Sequence, residues 1–120
     1  MTRTDSPYEI VGSNGSPYTR KLLAILRYRR LPYAWYVRDP LTLPADAAGP
    51  LRLMPMLRRP GATTYECDST PLAHSLEPSH PDVRSIVPPD PAAAFVSHLV
   101  EDFAVEWCAR ARTPARPCRR

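Results

Sequence analysis

No apolar run in this 120-residue chain approaches the roughly 20 residues that a membrane-spanning helix needs, so an α-helical membrane protein is excluded. The opening Met1-Thr2-Arg3-Thr4-Asp5 lacks a secretory pattern, and a soluble cytoplasmic protein is expected. Cysteine is too sparse for a scaffold. Cys67, Cys108 and Cys118 are an odd count without a C-x-x-C pair, and no histidine stands at metal-ligand spacing beside them. His74, His80 and His98 read as surface or helix-face residues, so neither a disulfide framework nor a metal site is expected. Glycine is scarce, four residues against 16 prolines. The prolines cluster in 40–60, 71–91 and 114–117, where they mark connections rather than element interiors.

What is present suffices for one ordinary domain. The hydrophobic fraction of 43% supports a core and argues against global disorder. The formal charge of +4 is unevenly spread. Arg110, Arg112, Arg116, Arg119 and Arg120 lie in the last twelve residues, where no acidic residue stands. Without them, 11 basic residues face 12 acidic ones in positions 1–108, a net charge of −1. A basic end can attract phosphate nonspecifically, but no groove-reading motif supports a nucleic-acid partner.

Local signals order the elements. Tyr8 to Val11 reads as a strand ended by the turn formers Gly12-Ser13-Asn14-Gly15. Ser16-Pro17 starts a helix expected to reach about Arg30, with Tyr18, Leu22, Ile25 and Leu26 as its apolar stripe. Arg27, Arg29 and Arg30 suit the negative end of that helix. Tyr33 to Arg38 alternates like a half-buried strand with Tyr33, Trp35 and Val37 on one face. Residues 39–53 support at most a short irregular helix. Pro55–Arg58 and Thr63–Cys67 read as a hairpin turning at Arg59-Pro60-Gly61-Ala62. Asp68-Ser69-Thr70-Pro71 opens another helix, expected to stop near Glu77 before Pro78. Asp90-Pro91 opens a third, with Ala92, Phe95, Val96, Leu99, Phe103 and Trp107 along one face. One crossover followed by a hairpin predicts a mixed sheet with helices on its faces.

Three motifs carry chemistry: Ser16-Pro17-Tyr18-Thr19-Arg20-Lys21, Met54-Pro55-Met56-Leu57 and Asp68-Ser69-Thr70-Pro71-Leu72. In this order and spacing they resemble the N-terminal domain of the glutathione S-transferase family over residues 7–78, and more loosely up to about Trp107. The resemblance implies an α/β thioredoxin-like fold, β-α-β-(α)-β-β-α, with a mixed four-stranded sheet. It divides the chain into a glutathione-binding domain over 7–80, a linker over 81–90, the first helix of an all-α domain over 91–108, and a basic, disordered tail over 109–120. It also implies that Met54 offers its backbone to the cysteinyl part of glutathione across a cis bond to Pro55, which proline tolerates best. An edge-strand proline is the plain alternative for Pro55. Asp68 and Ser69 match the pair that holds the γ-glutamyl end, although both are also ordinary helix caps. Ser16, with Ser13 as runner-up, becomes the hydroxyl that stabilises the glutathione thiolate, against a reading of Ser16 as a cap alone. A serine at that position argues against disulfide exchange, and Cys67 reads as a small buried apolar residue.

The expected ligand is therefore glutathione as co-substrate, with a small electrophile as the second substrate and no metal. Family members carry a large helical second domain that supplies the electrophile pocket and part of a dimer contact. Here one helix is followed by a stretch without periodicity, and a single lysine against ten arginines in positions 1–108 hints at GC-rich coding. A truncated or out-of-frame end is the expectation, with impaired activity and an apolar helix face open to a homodimer. The alternative function is a noncatalytic thioredoxin-like binding or assembly module.

Overall fold

The computed structural model describes residues 7–37 and 54–108. The chain separates into two compact units, dividing between Ile86 and Val87. In the first unit, β1 (Tyr8–Gly12), α1 (Pro17–Tyr28), β2 (Tyr33–Val37), β3 (Met56–Arg58), β4 (Glu66–Cys67) and α2 (Ser69–Ser79) follow one another. The sheet order is β2-β1-β3-β4. The β1–β2 pair is parallel, with Ile10 opposite Trp35. The β1–β3 and β3–β4 pairs are antiparallel, with Val11 opposite Met56 and Met56 opposite Cys67.

The two helices of this unit lie on one face of the sheet. Leu22, Leu23 and Leu26 of α1 and Leu72 and Leu76 of α2 form one cluster with Tyr8, Ile10, Leu31 and Leu57. The α1 stripe is turned from its expected position: Thr19 and Leu23 are buried, whereas Tyr18 and Ile25 lie at its margin. The buried Thr19 lies close against Gly12, at the C-terminal end of β1. The segment expected to hold an irregular helix, 39–53, lies outside the described residues.

The β3–β4 hairpin turns where Pro60-Gly61 predicts. Gly61 takes φ +77°, and the Ala62 N–H donates to the Arg59 carbonyl at 3.0 Å. The helix α2 departs from expectation by running through Pro78 to Ser79. Pro78 forfeits the backbone bond to the His74 carbonyl, and the turn beyond it is held by tertiary donors as well as by the helix. The Arg29 guanidinium donates to the carbonyls of Leu76, at 3.3 Å, and His80, at 2.8 Å. It also pairs with the Glu77 carboxylate. Glu77 in turn accepts from the Ser85 hydroxyl at 2.6 Å and the Ile86 N–H at 3.1 Å, so the chain leaving α2 is tied back onto it. Arg29, expected only to suit the negative end of α1, is instead fully buried between the ends of the two helices.

In the second unit, Asp90 caps α3 (Pro91–Phe103) by accepting from the Ala93 N–H at 2.8 Å, as its Asp-Pro start predicts. A wider π-helical turn continues it over Ala104–Cys108. No residue of α3 is buried, and its apolar side chains from Phe95 to Phe103 are exposed. Residues 109–120 lie outside the described residues.

The Tyr8 hydroxyl lies 2.7 Å from His80 Nε2. Burial raises the Tyr8 pKa, so the phenol keeps its proton and can donate to a neutral imidazole. Burial, with the positive charges of Arg29 and Arg59, lowers the His80 pKa from 6.5. Glu77 is lowered from 4.5: burial opposes this, but bonds from Ser85 and Ile86 and the charges of Arg29 and His74 prevail. Both shifts make the unfolded chain bind more protons than the folded one as pH falls, so stability drops on acidification. The His80 contribution is complete above 6.5 and declines below it; the Glu77 contribution declines below 4.5. Urea unfolding between pH 7.5 and 5 is expected to show falling stability in the native chain and a flatter profile in His80→Gln. Equal slopes would show that His80 does not carry this acid sensitivity.

Candidate functional site

The strand register gathers the sequence-predicted residues at one end of the sheet. Counting one step beyond the β1–β3 and β3–β4 ladders sets Pro55 opposite both Gly12 and Asp68. The loop from Gly12 to Ser16, the start of β3 and the start of α2 therefore meet there. The polar contacts between the helices add a direction. Lys21, early in α1, bonds Thr70, early in α2, while Arg29 at the end of α1 holds the end of α2. The helices thus run parallel, and both N-termini face the same end of the sheet. Neither first turn contains an acidic residue, so the positive helix ends are offset only by the Asp68 cap.

Short-range bonds fix the loop between β1 and α1. The Ser13 N–H donates to Thr19 Oγ1 at 3.3 Å, and the Ser16 N–H donates to the Ser13 carbonyl at 3.2 Å. The Arg20 Nε donates to the Asn14 carbonyl at 3.1 Å, and its guanidinium lies 5.9 Å from the Trp35 ring centre. Ser16 is the N-cap of α1, its Oγ accepting from the Thr19 N–H at 3.3 Å. Capping uses a lone pair and leaves the hydroxyl hydrogen to be donated elsewhere. The cap and the thiolate-stabilising reading of Ser16 are therefore compatible, not exclusive.

The Met54–Pro55 peptide bond is cis. Pro55 is fully buried, and Met54 is half-buried beside it. Asp68 is exposed and takes φ +79°, a conformation uncommon outside glycine, in which its carboxylate accepts from the Thr70 N–H at 3.4 Å. Ser69, the first residue of α2, is buried. A buried hydroxyl beside amides at a helix start is suited to a carboxylate ligand. Cys67 differs from expectation: it lies exposed on β4, because that two-residue strand is the sheet edge. Lys21 closes the first of the three motifs, but the sequence alone assigns it no role there, because its bond to Thr70 spans 49 residues of sequence.

A parallel β1-α1-β2 unit joined to an antiparallel β3-β4 hairpin and a closing helix defines the thioredoxin-like class of domain. The sequence model of the glutathione S-transferase N-terminal domain matches residues 10–84. The chain belongs to the glutathione S-transferase family. No curated protein sequence matches it. Among solved structures, a glutathione S-transferase from Methylobacterium radiotolerans, in complex with glutathione sulfonate, is similar at TM-score 0.71 and 25% identity. The match covers 83% of this chain and 47% of that one. A β-etherase from Sphingobium gives TM-score 0.72 at 19% identity, covering 88% of this chain and 45% of its own. A glutathione transferase homologue from Burkholderia, with bound glutathione, gives 0.68 at 14% identity over 84% and 55% of the two chains. The chain spans about half the length of these proteins.

A side chain at position 12 would bring its Cβ within 2.4 Å of Thr19 Cγ2. Gly12→Ala is expected to destabilise the fold by about 1–3 kcal/mol in urea unfolding, through overpacking beside the loop. Adding Thr19→Ser, which deletes the clashing methyl and keeps the hydroxyl, is expected to recover part of that loss. A neutral single substitution would show that the loop does not depend on this close approach.

Proposed function

We propose that the chain binds glutathione at this end of the sheet and, when active, stabilises its thiolate for attack on a small electrophile. The observation that carries the reading is the convergence of Ser16, Met54-Pro55 and Asp68-Ser69 within the family-matched residues, beside two parallel helix starts. Two relatives similar in fold were solved with glutathione or glutathione sulfonate, which supports the same ligand class here.

The chemistry follows from the groups present. The γ-glutamyl carboxylate would meet the amides and the Ser69 hydroxyl at the start of α2, and Asp68 would meet the α-ammonium. The Met54 N–H and carbonyl would pair with the cysteinyl backbone. The Ser16 hydroxyl, donating its hydrogen, would favour the thiolate over the thiol, helped by the positive end of α1. The thiol proton leaves to solvent. The sulfur then bonds to an electrophilic carbon as a leaving group departs with its electron pair. At an activated alkene the π bond breaks instead, and the resulting carbanion takes a proton from solvent. Ser13 is the second candidate for the donor. A cytoplasmic setting is part of this reading, since three cysteines without a C-x-x-C pair make no disulfide framework.

Amide NMR titration with glutathione, paired with turnover on a generic electrophile, tests the proposal. Shifts are expected near Ser16, Met54 and Ser69. Ser69→Ala is expected to weaken binding about tenfold. Ser16→Ala is expected to reduce turnover about a hundredfold with a smaller effect on affinity. Binding without turnover would favour the second reading, a noncatalytic glutathione-holding module, and dispersed spectra without shifts would overturn both.

The exposed face of α3 supports a further part of this reading. Phe95, Leu99 and Phe103 are each more than half exposed on one helix, an arrangement that favours association with a second copy. Sedimentation is expected to show a dimer that dissociates on Leu99→Glu. A native chain that stays monomeric at high concentration would overturn this.

A further inference from the structure

The helices α1 and α2 are joined by polar bonds at both ends, and the two ends differ in character. At the C-terminal end, Arg29 is buried and ties carbonyls and a carboxylate together. At the N-terminal end, Lys21 Nζ donates to Thr70 Oγ1 at 2.8 Å across 49 residues of sequence. Both partners there are half-buried. Thr70 is the second residue of α2, immediately after Ser69, and its N–H is the one that Asp68 caps. Lys21 therefore holds the turn that carries both residues read as the γ-glutamyl anchor. Its stem rises from the second turn of α1, the helix that Ser16 caps.

We propose that Lys21 is a positioning residue of the glutathione site, an inference that rests on the glutathione reading above. Its bond to Thr70 fixes the first turn of α2 relative to α1, and so sets Asp68 and Ser69 in register with Ser16. Its ammonium also adds positive charge at the helix start where a carboxylate would lie. The Thr70 hydroxyl accepts from Lys21 and retains its own hydrogen to donate. The linkage thus relays the lysine's charge toward the ligand without Lys21 having to touch it. Arginine can supply the same donor and charge, whereas methionine keeps only the stem.

The test is calorimetric titration of the full chain with two ligands: glutathione, and an analogue whose γ-glutamyl residue is replaced by 4-aminobutyrate, which lacks the α-carboxylate. Lys21→Met is expected to weaken glutathione binding about tenfold and the already weaker binding of the analogue, which keeps the ammonium that Asp68 would meet, by a clearly smaller factor. Lys21→Arg is expected to restore most of the affinity. Thr70→Val should show the same ligand-selective loss, and it decides the question if Lys21→Met does not fold. Equal loss for both ligands would mean a general structural role and would overturn the proposal, as would unchanged binding of glutathione by either variant. A native chain that binds neither ligand would overturn the glutathione reading itself, and this inference with it.

Discussion

The buried guanidinium of Arg29 is the contact on which the first unit depends. Its donors bind the carbonyls of Leu76 and His80 and the carboxylate of Glu77, and Glu77 in turn holds Ser85 and Ile86. One side chain thus joins the end of α1, the end of α2 and the segment that follows. The two terminal nitrogens of this buried charge meet acceptors, while its Nε meets none among the described residues, so deleting an acceptor would leave still more of the guanidinium unpaired and would cost more than a surface ion pair contributes. The same contact reinforces the end of α2 beyond Pro78, where the Leu76 carbonyl accepts from the Arg29 guanidinium as well as from the His80 N–H.

Fixing the helix ends in this way has a consequence at the other end of the sheet. With α1 and α2 parallel on one face, their N-termini open together, next to the strand ends that carry Gly12, Pro55 and Asp68. Amides that no acidic first-turn residue neutralises then share a small region with three hydroxyl-bearing residues, Ser16, Ser69 and Thr70. Such a region favours a ligand with anionic groups, as glutathione has at its carboxylates and its thiolate. The buried arginine and the proposed ligand site are opposite ends of one packing arrangement.

Several parts of this arrangement were legible in the sequence because their causes are local. Ser16-Pro17, Asp68-Ser69 and Asp90-Pro91 start helices for reasons contained within four residues, and Pro60-Gly61 turns a hairpin because glycine reaches positive φ. The three motifs also named the family before any contact was known. Other features were not legible, because each depends on a residue distant in sequence. Arg29 differs from its neighbours Arg27 and Arg30 only in pointing inward toward α2. Tyr8 meets His80 across 72 residues, and Lys21 meets Thr70 across 49. Cys67 looked like a core residue by type, but its strand forms the sheet edge.

By itself, the sequence determined where most elements of this protein begin and turn, and which short motifs carry its chemistry, since capping and backbone geometry act over a few residues. Only the tertiary structure decided which arginine is buried, which helix face meets the sheet, and that the two helix starts open at the same place. Those outcomes follow from strand register and interhelical contacts, where a residue's role is set by the partner the fold brings to it rather than by its neighbours in the chain.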